Sequence, residues 1–121
     1  MDRFFFTAGA VAAFIAVALG AFGAHSLKTR LSADLLDIFE VGVRYQMYHA
    51  LGLIAVAWAT TRWPERNLNG AGWAFIIGII IFSGSLYLLS LTGMRWFGAI
   101  TPVGGLAFLI GWAILIWSIG R

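Results

Sequence analysis

Cysteine is absent from the 121 residues, which excludes disulfides, iron–sulfur clusters and thiol chemistry. Charge is scarce: 11% of the residues are charged against 61% hydrophobic, and the mean hydropathy is +0.90. A soluble domain carries about 25% charged residues, so this composition belongs to an integral membrane protein. Alternation of apolar and polar residues is missing too, which excludes a barrel and leaves helices as the spanning elements. Eight basic residues against five acidic ones give a formal charge of +3. They are scattered over loops and ends and form no patch, so no nucleic-acid partner is expected.

What the chain does contain is four apolar stretches near the length a bilayer requires, about 20 residues as helix. Helical spans are expected near 4–24, 41–61, 71–92 and 101–120, so that residues 1–121 form a single membrane domain, an all-α, integral membrane four-helix bundle. The first run has the outline of a secretory signal, with Arg3, an apolar core and the small residues of "GAFGAHS", but it is expected to be kept as a span. Ser32 as N-cap, Asp34 and Asp37 in the first turns, and the stripe Leu31, Leu35, Leu36 and Phe39 predict an amphipathic helical segment over 32–40 that runs into the second span. Thr101 and Pro102 have the order of an N-cap followed by a first helical residue, leaving "GMRWFGAI" in a short turn. Lys28, Arg30, Arg44 and Arg95 lie towards one face and Arg3, Arg62, Arg66 and Arg121 towards the other, so the positive-inside rule assigns no orientation.

Ala8, Ala12, Ala16, Gly20 and Ala24 fall four apart and predict a small-residue stripe for helix–helix contact, within the bundle or between copies. A bulky residue at Gly20 should force the packed backbones apart. Trp58, Trp63, Trp73, Trp112 and Trp117 share one half of the molecule and predict an aromatic belt. The opposite half collects polar side chains.

The densest of these lie around "GVRYQMYHALG", residues 42–52, where polar groups are costly in lipid. Glu40 and Arg44, Arg44 and Tyr48, and Tyr45 and His49 are each four apart and share helix faces. One reading makes Glu40, Arg44, Gln46 and His49 a structural network fixing how the second span packs. The other makes them the wall of a polar pocket, with His49 as ligand or proton carrier beside Arg44, Tyr45, Gln46, Tyr48, Glu40, His25, Ser83, Ser85 and Tyr87. His25 and His49 would suit zinc or non-haem iron if they met, but no ligand pair sits at i, i+4, and no metal is assigned. Ser83, Ser85 and Ser90 of "FSGSLYLLS" are expected to bond to helix carbonyls or across helices; no serine has a base and oxyanion arrangement, so no catalytic residue and no cofactor are assigned.

The stretches "GAFGAHSLK", "FEVGVRYQMYHALGL", "FSGSLYLLSLTG" and "ITPVGGLAFLIGW", in this order and covering roughly residues 5–117, resemble the small bacterial inner-membrane family typified by YgdD and YwdK. That family is domain of unknown function 423, similar to eukaryotic transmembrane protein 256. The resemblance implies a multi-pass protein of the cell (inner) membrane and no established activity. It also implies a looser helix at Gly42, where the family commonly has alanine.

Three roles follow, in this order: a structural or accessory subunit packing with itself as a homo-oligomer or with a larger membrane complex; a small-molecule, lipid or proton-coupled binding or transport protein using a pocket around His49; and a membrane enzyme with His49 as acid or base. The lipid bilayer is the surrounding partner in each.

Overall fold

The computed structural model describes residues 1–121. Four helices make up nearly all of it: α1 (Asp2–His25), α2 (Ala33–Arg62), α3 (Asn69–Thr92) and α4 (Thr101–Gly120). There is no strand, and single 3-10 turns at Leu27–Thr29 and Arg95–Ala99 fill the first and last connections. The protein is therefore an all-α membrane bundle. The stretches Asp2–His25, Asn69–Thr92 and Arg95–Gly120 are long and apolar enough to cross a membrane. α2 does not reach that average, because its first half carries the polar residues of 40–49.

Local chemistry explains the helix ends. The Ser32 hydroxyl accepts from the Leu35 amide at 3.2 Å, and the helix then continues unbroken for 30 residues through both the amphipathic segment and the apolar run. At about 1.5 Å per residue α2 is roughly 45 Å long, so its amphipathic start projects beyond a hydrocarbon layer about 30 Å thick. α3 stops at Gly93, the one residue with positive φ (72°), whose amide bonds back to Leu89 O at 2.8 Å. Thr101 does not cap α4: it lies inside the first turn, with Pro102 beside it, and its hydroxyl is shared with Ser85 of α3.

Each helix runs antiparallel to the next, and glycines set the close approaches. Gly9 faces Ala50, Leu53 and Ile54 across the α1–α2 seam, while Gly23 faces Phe39. Between α2 and α3, Gly42 meets Tyr87 and Leu86, and Gly52 meets Phe75. Between α3 and α4, Gly78 receives Phe108, Gly104 lies under the Phe82 backbone and Gly111 receives Phe75. The main core gathers Phe5, Leu53, Val56, Leu68, Phe75 and Phe108, with the Phe5 ring reaching Gly72 of α3. A π-helical turn at Ile79–Ser83 interrupts α3 and lies against α4 at Phe82.

The buried face of α1 is not the expected stripe. Ala16 is buried and Ala8, Ala12 and Gly20 are half-buried, but Ala24 is exposed, and the fully buried positions are Phe5, Gly9, Ala16 and Gly23. Steps of four residues drift by about 40° each around a helix with 3.6 residues per turn, whereas steps of seven drift back by about 20°. A strict four-residue stripe therefore winds off the partner. Gly20 is not the tight point either: a Cβ there would meet Val43 Cγ1 at 3.5 Å, an ordinary contact, while at Gly9 it would meet Ala50 O at 2.7 Å.

Candidate functional site

Two hydrogen-bonded knots occupy the polar level of the bundle, and α2 supplies the centre of both. Gln46 is buried and bridges three helices. Its Nε2 donates to Ala12 O of α1 at 2.8 Å, and its Oε1 accepts from the Tyr87 hydroxyl of α3 at 2.6 Å. One turn away the Ser83 hydroxyl, presented by the π-helical turn, donates to Gly42 O at 2.7 Å. Gly42 is consequently a tight point rather than a loose one, since a Cβ there would lie 2.8 Å from Tyr87 Cε1. Ser85 bonds Phe82 O at 2.9 Å and Thr101, tying α3 to α4, and Ser90 donates to Tyr87 O.

The second knot is His49. Its ring lies flat on Phe108, with centroids 3.5 Å apart and planes 6° from parallel, and meets the edge of Phe75. Nδ1 is 2.8 Å from Tyr45 O, and Nε2 accepts from the Trp112 indole N–H at 3.0 Å. An indole nitrogen only donates, so the Nε2 facing it carries a lone pair and the proton sits on Nδ1. Both ring nitrogens of a neutral imidazole are thereby satisfied. A second proton would set N–H against N–H, and a metal would need the position that Trp112 holds. Trp112, expected in the aromatic belt, keeps an exposed ring while its N–H reaches Nε2.

Apart from Tyr45, whose ring stacks on that of His49 at 6.3 Å, the remaining predicted site residues do not converge on His49. Arg44 is exposed and reaches only Glu40 O at 3.5 Å; Glu40 is exposed as well, and the pair flank a shallow cleft with Gly20, Phe39 and Val43. Tyr45 and Tyr48 are exposed and pack edge to face on each other at 5.5 Å. His25 is exposed at the end of α1, in the turn after Gly23, which packs at the level of Phe39 rather than His49. Neither of the two cavities is lined by His49, Gln46, Tyr87, Ser83 or Ser85. No buried side-chain nitrogen or oxygen is left without a partner.

Comparison with known proteins gives this bundle its relatives. Residues 19–105 match the family model described as "Protein of unknown function (DUF423)". "UPF0382 membrane protein SSP2132" of Staphylococcus saprophyticus is 47% identical over 114 residues, 94% of each chain. "UPF0382 membrane protein YwdK" of Bacillus subtilis is 45% identical over 115 residues, again 94% of each chain. "UPF0382 membrane protein SAUSA300_0565" of Staphylococcus aureus is 49% identical over 114 residues, 94% of this chain and 93% of the relative. The chain belongs to the DUF423 family. No solved structure matches it.

For this DUF423 member, the sequence reading found Gln46, His49, Ser83, Ser85 and Tyr87 but missed Trp112 and Phe108. Both lie on α4, far along the chain from His49. The available signal was the single run "FLIGW" over 108–112, which puts an aromatic ring and an indole four apart on one helix face.

Proposed function

We propose that the chain is a structural or accessory membrane subunit, crossing the cell (inner) membrane four times and packing with copies of itself or with a larger membrane complex. One observation carries this reading: the polar side chains inside the bundle are spent on holding helices together. Gln46 joins α1, α2 and α3, and His49 joins α2 to α4 through Trp112, with no cavity at either. A ligand site leaves polar groups free to meet the ligand; here each is satisfied from within the protein.

The same knots account for α2 as a fourth span despite its modest average hydropathy. Gln46 and His49 face inward, and the outward positions Leu51, Ala55 and Trp58 suit lipid. Two neighbours, α1 and α3, lie antiparallel along it. Four crossings put Lys28 and Met94 on one side and Glu65 on the other. The absence of native cysteine allows a direct check with Lys28→Cys, Met94→Cys and Glu65→Cys. A membrane-impermeant maleimide should label the first two from one side of sealed vesicles and the third only from the other. Labelling of Glu65→Cys from the same side as Lys28→Cys, with Met94→Cys on the other, would remove α2 as a span.

The role is tested by native mass spectrometry of the gently extracted protein. A bare homo-oligomer, or a stoichiometric complex with other membrane subunits, is expected. A small polar molecule retained by the wild type and lost from a folded His49→Ala variant would overturn the reading.

A further inference from the structure

The larger cavity lies outside both polar knots. It is a cleft of about 740 Å³ between the start of α1 and the second half of α2, lined by Phe6, Leu51, Ile54, Ala55 and Trp58, with Arg3 at one end. Asp2 and Thr61 complete that polar end; Thr7 lies one helical turn beyond Arg3, and the remaining lining is apolar. The polar end belongs to the side of the molecule where α1 begins, α2 ends and Arg62 lies over the Trp63 ring. From Leu51 to Thr61 the cleft runs about 15 Å along α2. An acyl chain can lie along an apolar floor of this length.

Charge identifies what the chain is attached to. The Asp2 carboxylate lies 3.8 Å from the amino group of Met1, whereas Arg3 forms no ion pair with any carboxylate. The mouth therefore offers a free guanidinium at the height of the interfacial aromatics, the position of a lipid phosphate. We propose that the α1–α2 cleft is a binding site for one anionic membrane phospholipid, with an acyl chain along Leu51, Ile54 and Ala55 and the phosphate on Arg3. The inference is independent of the accessory role, because it uses no residue of the Gln46 or His49 knots.

The full-length protein is reconstituted in vesicles of phosphatidylcholine and phosphatidylglycerol in equal amounts, then released into native mass spectrometry. The wild type should keep one phosphatidylglycerol per chain. Arg3→Gln should keep a lipid but reduce the phosphatidylglycerol preference about fivefold, the effect of one interfacial basic residue. Ala55→Trp, which fills the exposed floor of the cleft, should lose the lipid, while Ala113→Trp on the outer face of α4 should not. Circular dichroism confirms that each variant is folded. Three outcomes overturn the proposal: no retained lipid in the wild type, equal retention in Ala55→Trp, or a lipid-free dimer that Ala55→Trp separates into monomers, which would assign the cleft to a second copy.

Discussion

Replacing Gln46 by leucine is the most informative perturbation of the bundle. Leucine nearly preserves the volume but removes both interhelical bonds, the 2.8 Å donation to Ala12 O and the 2.6 Å acceptance from Tyr87. Measured interhelical hydrogen bonds in membrane proteins average about 0.6 kcal/mol and reach about 1.7, so the two bonds together are worth about 1–3 kcal/mol. A further loss falls on the Tyr87 hydroxyl, which is deprived of its Gln46 acceptor and keeps only the Ser83 hydroxyl beside it; a poorly satisfied buried group adds up to about 1–3 kcal/mol. Gln46→Leu should therefore destabilise by about 3 kcal/mol. Tyr87→Phe on that background removes the stranded hydroxyl and should restore about 1–2 kcal/mol of the loss. Unfolding by sodium dodecyl sulfate in mixed micelles, followed through the six tryptophans, measures the cycle. If the double variant loses the sum of the two single losses, the two side chains do not act as one unit and the knot is not what fastens α1 and α3 to α2.

Gly9→Leu should destabilise the α1–α2 seam by about 2 kcal/mol or more, because its Cβ already meets Ala50 O at 2.7 Å, whereas Gly20→Leu should be milder at a 3.5 Å contact; the same micelle titration ranks them, and a reversed order would refute the seven-residue packing face. Gly104→Ala and Gly105→Ala are neighbours with opposite expectations: the first drives a methyl into the Phe82 backbone, the second meets nothing closer than 3.8 Å. A loss of about 1–3 kcal/mol is expected for the first and little change for the second. Nitrogen NMR of labelled histidine should show His49 as the Nδ1–H tautomer, and Trp112→Phe should release that preference; a protonated ring in the wild type at neutral pH would contradict the Trp112 bond.

Much of the architecture was legible because helix formation and membrane burial are local properties. Ser32 ahead of Asp34 and the Leu–Phe stripe announced the start of α2, and the unbroken apolar runs announced α1, α3 and α4. The polar residues of 42–52 also stood out by their cost in lipid. The reading failed where a partner mattered. Thr101 looked like a cap from its neighbours alone, whereas its hydroxyl is shared with Ser85, and nothing local to Trp112 announced that its N–H would reach His49.

The sequence by itself determined that this DUF423 member is a helical membrane protein, and which short stretch concentrates its polar atoms. Only the tertiary structure decided which face of α1 is buried, that Gln46 and His49 head separate knots, and that the open cleft lies elsewhere, between α1 and α2. The reason is separation along the chain. Hydropathy and periodicity are fixed within a few turns, but the partners of Gly42, Gln46 and His49 lie 41, 41 and 63 residues away. Such pairs are chosen by how the helices pack, at spacings that no local pattern encodes.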